Sequence, residues 1–359
     1  MKGFKVVLRG LVALVFIGSG LVKAVDPVGF SFKLEEYFSP TVFDSPFLER
    51  YALPLAVAVS VAEVLAGLFL LLTLQVRRVL LFLIALCLFF AFLTFYSAYY
   101  NVVTDCGCFG DALKLTPWQS FWKDVVLLAG LLVLWRSFRE SARGRGFGWR
   151  IGFFILGVTV LAWVVYRGIW HEPLVDFRDY KVGVDLNSEK RKMVENPNQY
   201  ATFYLLKNQK TGEEREVNQD EYVLDRTFWA EGSPWQIQKD RTVTLLVRQG
   251  YSSEISKFRL EDALGNDRTQ EILKADRVVL LFSYRPSAMA SESLEAVGRI
   301  VLQYPLVYGV STETGAFPSV ETFLMDATAI KTIARSNPFV LVLAKGVIVE
   351  KKSLSDFVK

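Results

Sequence analysis

Cysteine and histidine are nearly missing from these 359 residues, which contain three Cys and one His. Three thiols cannot build a disulfide-stapled scaffold. A single imidazole leaves no His-based metal centre and no His-dependent triad, which removes most hydrolase chemistries. Charge is sparse too, at 22%, against about 25% in ordinary soluble domains. The net charge of +4 is small, and no basic cluster is interleaved with aromatics, so nucleic acid is not an expected partner. Apolar residues are abundant: 52% of the chain is hydrophobic, with 28 Phe and 8 Trp. Mean hydropathy is positive. A wholly soluble protein does not fit that balance.

The apolar residues are concentrated before residue 170. Five runs, near 6–25, 53–74, 79–100, 121–136 and 151–168, approach or reach the ~20 residues that cross a bilayer. They are expected to be helices, because a span in lipid must satisfy its own backbone hydrogen bonds. Loop charges alternate along the chain. Lys2, Lys5 and Arg9 precede the first run, and the next loop is acidic, with Asp26, Glu35, Glu36, Asp44 and Glu49. Arg77 and Arg78 join runs two and three, Asp105 and Asp111 lie between three and four, and Arg136, Arg139, Arg143, Arg145 and Arg150 follow four. The positive-inside rule then places the amino end in the cytoplasm and the tail outside, in a bacterial inner membrane. Lys23, beside the only suitable cleavage region, argues against a cleaved signal peptide.

The tail from 171 contains no cysteine. Tyr200–Leu206 and 243–247 read as strands, with a turn through Thr211-Gly212 into another strand. From Arg277 the pattern is a strand over 278–283, a helix near 290–304, a strand over 306–310, helical turns across 319–335, and strands over 339–344 and 346–350. The expected organisation is a membrane unit over 1–140, a basic loop and fifth span over 141–170, a β-rich module over 171–265 and a small α/β domain over 266–359.

Two features could carry chemistry. Asp105-Cys106-Gly107-Cys108-Phe109-Gly110-Asp111 falls in the outward loop between runs three and four. Two thiols facing an oxidising compartment suit redox exchange. A bridge across so short a ring departs from relaxed geometry and is easily reduced. The flanking acids raise thiol pKa unless Lys114, Lys123 or a helix N-terminus offsets them. An inert bridge in a tight turn, or thiolate and carboxylate ligation of a divalent metal, are the alternatives. Glu63 lies mid-span in run two, where a carboxylate costs about 2.5–3.5 kcal/mol. It must find a partner, for which Thr94, Tyr96, Ser97 and Lys23 are the candidates, or stay protonated, and serves either as a proton or quinone-binding site or as a packing hydrogen bond. Lys23 is expected to snorkel to the interface, Cys87 to fill apolar space, and Gly18 and Gly20 to allow close helix approach. His171 receives no role.

Arg9 through Phe16, Ser19-Gly20, Lys23, Asp26-Pro27 and Lys33-Leu34-Glu35-Glu36-Tyr37-Phe38, with Glu63 and Gly67, resemble the DoxX family of membrane proteins. Cys106-Gly107-Cys108-Phe109-Gly110 is similar to the loop of the related MauE proteins. The resemblance spans about residues 5–136 and implies a four-helix bundle. Its wider superfamily includes subunits of a thiosulfate:quinone oxidoreductase and MauE-type proteins linked to disulfide formation in partners. Some relatives add a helix and an extracytoplasmic thioredoxin-like tail, and Asn337-Pro338 is similar to the cis-proline position of thioredoxins. Tyr284-Arg285-Pro286-Ser287 stands where a thioredoxin carries Cys-x-x-Cys, so the tail itself cannot exchange disulfides. The expected protein is therefore a DoxX-like four-helix transmembrane bundle with a fifth spanning helix and an extracytoplasmic α+β tail, part of it thioredoxin-like. Its partners would be the lipid bilayer and an extracytoplasmic protein. Its function would be thiol redox through Cys106 and Cys108 with Glu63 in support, or non-enzymatic docking through the tail. Five helices without inverted repeats speak against a carrier.

Overall fold

A computed structural model describes residues 2–103, 107, 109–113, 115–137 and 147–359. Cys106, Cys108, Asp105 and Lys114 lie outside the described residues, as does the basic segment 138–146. The first part of the chain forms α1 (Lys2–Val25), α2 (Pro27–Phe38), the short α3 (Pro46–Arg50), α4 (Ala52–Leu71), α5 (Val76–Tyr100), α6 (Pro117–Ser137) and α7 (Phe147–Trp170). Among the described residues, four helices are long and apolar enough to cross a membrane: Gly3–Val25, Ala52–Leu71, Val76–Tyr100 and Gly148–Trp170. The chain is a multi-pass membrane protein. The run expected over 121–136 is helical but falls outside that set. Its first turns hold Gln119, Ser120, Lys123 and Asp124, which dilute the apolar stretch that follows. It still belongs to the bundle, because Leu131 and Leu134 are buried with Val12 and Ala13 of α1 and Leu80 and Leu83 of α5.

On α4 the buried positions Ala56, Ser60, Glu63, Gly67 and Leu70 recur every three or four residues and share one face. That face meets α1 at very close range. A Cβ on Gly20 would lie 2.7 Å from Val64 Cγ2, and one on Gly67 would lie 2.6 Å from Ile17 Cγ1. Only glycine lets both backbones approach so closely. Gly18 has nothing within 4 Å of a built Cβ, so the expected contact role falls on Gly20 alone.

The α2 helix stands where the sequence suggested only an acidic loop. The Asp26 carboxylate accepts the Gly29 backbone N–H at 2.8 Å, and Pro27 occupies the first helical position, a well-formed helix start. Its buried face, Val28, Phe30, Ser31, Leu34 and Tyr37, seals that end of the bundle. At the opposite end Lys5 donates to the Ser137 carbonyl at 3.3 Å, and Arg150 to Thr73 Oγ1 at 2.7 Å.

The tail contains α8 (Leu186–Glu195), β1 (Gln199–Asn208), β2 (Glu214–Asn218), α9 (Gln219–Leu224), β3 (Trp235–Ile237), β4 (Val243–Arg248), α10 (Thr269–Lys274), β5 (Val278–Ser283), α11 (Ser291–Gln303), β6 (Val307–Ser311), β7 (Thr322–Leu324), α12 (Ala327–Ile333), β8 (Phe339–Ala344), β9 (Val347–Ser353) and α13 (Leu354–Phe357). In one antiparallel sheet β1 pairs with β2, β3 and β4. The other sheet has the order β7-β6-β5-β8-β9, with β5–β6 and β6–β7 parallel and β5–β8 and β8–β9 antiparallel. Strand alternation fills both faces of this second sheet. Val278, Leu280 and Phe282 enter one core, whereas Val279 and Leu281 enter the other. The first core also takes in Tyr180, Leu186, Ile255, Phe258 and Leu260, from chain on either side of the four-stranded sheet.

The expected helical turns across 319–335 hold β7 before α12. Thr322-Phe323-Leu324 is β-branched and aromatic, and its alternation buries Phe323 against the sheet.

The α1–α4 contact makes a sharp prediction. Gly20→Ala should destabilise the bundle by about 1–3 kcal/mol through overpacking, whereas Gly18→Ala should not. Thermal unfolding of the detergent-purified chain measures both, and equal effects would contradict the packing described.

Candidate functional site

Glu63 is 1% exposed and Lys23 2% exposed. Ser19 and Lys23 sit one helical turn apart on α1 and face Glu63 on α4. Lys23 Nζ donates to Glu63 Oε1 and Oε2, both at 2.8 Å, and to Ser19 Oγ at 2.8 Å. Ser19 Oγ donates to Glu63 Oε2 at 2.9 Å. The ammonium also lies 5.4 Å from the Phe30 ring centroid and 5.2 Å from that of Phe90, a cation–π cradle in a desolvated site. The snorkelling expected of Lys23 is therefore replaced by complete burial, because a carboxylate inside the bundle lies within its reach. Of the other partners proposed for Glu63, Thr94 donates to backbone carbonyls of its own helix and Ser97 donates to the Tyr37 hydroxyl.

Beside this pair is a cavity of about 20 Å³. A water fits in about 10–15 Å³ of such space, but a quinone ring does not. Asp124 on α6 lines the same cavity and is 3% exposed. It was not singled out from the sequence, although a carboxylate at the start of an apolar run was a readable signal. Cys87, the expected apolar filler, is buried and donates its S–H to the Asp124 backbone carbonyl at 3.2 Å.

The described neighbours of Cys106 and Cys108 meet several other elements. Gly107 has φ +64°, and a Cβ there would lie 3.0 Å from Lys33 Cγ on α2. A left-handed backbone pressed against a neighbour calls for glycine. Lys123 on α6 lies 5.3 Å from the Phe109 ring centroid. Asp111 is hydrogen-bonded by Arg335 Nη2 of the tail.

Arg335 is the centre of the bundle–tail contact. It is 7% exposed; Nε donates to Asp26 Oδ2 at 2.7 Å, Nη1 to the Lys331 carbonyl at 2.5 Å, and the guanidinium lies over Phe32. One cation thus joins the end of α1, the residue three positions after Cys108, and the tail. Around it Glu35 accepts from Arg285 and from Lys331, both at 3.0 Å, and Phe32 packs edge-on against Tyr284 at 5.6 Å. Burial pushes the Tyr284 phenol up to about 12. Tyr284 and Arg285 therefore rest on α2. The Asn337–Pro338 peptide beside them is cis.

The link leaving α7 is tied to the same region. Glu172 accepts the backbone N–H groups of Arg335 at 3.1 Å and Ser336 at 2.9 Å, the Ser336 hydroxyl at 2.5 Å, and Arg178 Nη2 at 2.9 Å. Burial opposes its ionisation, but Arg178 and Ser336 outweigh burial and hold its carboxyl below the ordinary value. Lys351 donates to Asp176 and to the Tyr180 and Ile333 carbonyls. Burial and the nearby Arg178 bring it down to about 8, against the opposing pull of Asp176. His171 Nδ1 lies 2.6 Å from Asp356 Oδ2. A cleft of about 790 Å³ remains between bundle and tail, reached by Lys33, Glu36, Asp111, Lys257, Lys331 and Arg335.

The ion pair is open to a direct test. Lys23→Met or Glu63→Leu alone leaves one buried charge and should cost about 3–5 kcal/mol. The double variant should recover most of that loss. A double-mutant cycle on unfolding in detergent measures the coupling, and additive losses would contradict the pairing.

The model of the family described as Methylamine utilisation protein MauE matches residues 1–137. No curated protein and no solved structure matches the chain. The family match takes in α1 through α6, including Lys23, Glu63, Asp124 and the Cys106-Gly107-Cys108 loop, and ends before α7. Over that stretch the chain is similar to MauE, as a membrane-embedded helical unit that carries a further α/β region behind it.

Proposed function

We propose that the protein is a membrane-anchored component of an extracytoplasmic thiol–disulfide exchange pathway, with Cys106 and Cys108 as its reactive pair. In the exchange one cysteine thiolate attacks a disulfide of a partner protein and forms a mixed disulfide. The second cysteine then displaces the partner's remaining sulfur. One S–S bond breaks in the partner and one forms in the loop, so electrons balance without a further acceptor. The observation that carries this reading is the anchoring of the loop's neighbours: Gly107 on α2, Phe109 beside Lys123, and Asp111 on Arg335. Arg335 offsets the charge of Asp111, and Lys123 adds a cation beside Phe109. Both reduce the acid-induced rise in thiol pKa expected from the sequence.

Orientation belongs to the same proposal. Lys5, Arg150 and the ends of α4 and α6 meet at one end of the bundle, and Asp26, Glu35, Asp111 and the tail meet at the other. This segregation supports a cytoplasmic amino end, α6 as the remaining crossing, and an external tail. The sheet order of β6-β5-β8-β9, with α11 between the parallel strands, supports a thioredoxin-like reading of 266–359. The tail's Tyr284 and Arg285 contact α2. This favours a role in holding the loop's surroundings over recruiting a client by that face. Non-enzymatic docking is the second reading, favoured by the cysteine-free tail.

Acid-quenched membranes treated with a thiol-specific mass tag test the exchange. A reversible two-thiol change is expected in the intact protein. Cys106→Ser or Cys108→Ser alone should accumulate a mixed disulfide visible on non-reducing gels, and the double variant should not. Thiols that never change state, with no adduct in either single variant, would leave docking as the surviving reading.

A further inference from the structure

Asp124 is the least satisfied acid of the membrane bundle among the described residues. Its Oδ1 takes Lys123 Nζ at 2.7 Å, while Oδ2 is buried and has no hydrogen-bond partner. A buried carboxylate oxygen without a partner keeps the cost of its lost hydration uncompensated. The same acid lines the cavity of about 20 Å³ that Ser19, Lys23, Glu63 and Lys123 also line. Four ionisable groups thus surround one small space: two ammonium groups and two carboxylates, formally neutral together. Neutrality is what a cluster inside hydrocarbon needs.

The volume exceeds the roughly 10–15 Å³ that one water requires, and a buried water needs about two to four polar partners. Those partners are present. Glu63 Oε1 is engaged by Lys23 alone and retains a lone pair, and Asp124 Oδ2 retains both. A water has two protons to give, and it meets two acceptors.

We propose that this cavity is a water site, in which a single ordered water donates to Asp124 Oδ2 and to Glu63. The water completes a hydrogen-bonded path from Glu63 on α4 to Asp124 and Lys123 on α6. Lys123 in turn lies beside Phe109, next to Cys108 in sequence. Such a path joins the middle of the bundle to the Lys123 ammonium on α6. The inference stands apart from thiol exchange, since it follows from the cavity and the unpartnered oxygen.

Infrared spectroscopy of the full chain in lipid nanodiscs, comparing H2-16O with H2-18O, tests it. An isotope-sensitive O–H band of a strongly bonded internal water is expected. It should vanish in Asp124→Leu and persist in the Cys106→Ser, Cys108→Ser double variant. Should Asp124→Leu fail to fold, Asp124→Asn should shift the band. The inference is overturned by absence of the band, by a band indifferent to Asp124→Asn, or by a protonated-carboxyl band in the unmodified protein that either variant removes. In the last case the unpartnered oxygen carries the proton itself.

Discussion

The Lys23–Glu63 pair is the constraint from which the rest of the bundle follows. Two opposite charges at 2.8 Å inside a helical membrane unit can be tolerated only if neither is left alone, and that requirement fixes the register of α1 against α4. A shift of one helical turn would separate the ammonium from the carboxylate and leave both in a medium that penalises lone charge. Gly20 and Gly67 serve the same registration, because they let the backbones come close enough for a lysine and a glutamate to meet between them. Ser19, one turn before Lys23, takes up a further lone pair and proton of the cluster. Specificity rather than net stability is the gain expected of such a pair.

The registration then extends to the end of the bundle that meets the tail. Asp26 follows Lys23 by three residues, so fixing α1 also fixes the carboxylate that starts α2 and receives Arg335. Through Arg335 the same point reaches Asp111 behind the cysteine loop, and through Glu172 it reaches the exit of α7. Each link is charge-assisted and mostly buried, which gives such contacts about twice the strength of neutral ones. The tail therefore caps the bundle, with the Arg335 guanidinium at the centre of a contact that Glu35, Glu172 and Phe32 also hold.

Much of this was legible in the sequence, and the rest was illegible for physical reasons. Apolar run length identified α1, α4, α5 and α7, because crossing hydrocarbon demands nearly continuous apolarity. The run over 121–136 is helical and packs into the bundle, but Lys123 and Asp124 break its apolarity, so run length alone does not mark it as a span. Glu63 stood out because a charge in an apolar run has no local explanation. Its partner did not, since Lys23 near a helix end has two energetically acceptable fates, and only the packing of α4 against α1 decides between them. The α2 helix was announced by Asp26-Pro27, yet the loop's net acidity drew attention away from it. Arg335 could not have been found at all: its partners lie 309 and 224 positions away in the chain, and no local pattern encodes such a pairing. The strands of the five-stranded sheet were readable because both faces are buried and the runs are continuous. The short β7 was hidden beside a helix of similar composition.

The reading proposed for this protein requires the Cys106–Cys108 loop to face the outer side of the membrane. Sidedness of thiol labelling tests it most directly, in a Cys87→Ala background so that only the loop thiols remain. A membrane-impermeant maleimide applied after mild reduction should modify Cys106 and Cys108 in right-side-out vesicles and leave them untouched in inverted ones. Modification confined to inverted vesicles would place the loop in the cytoplasm and contradict the account.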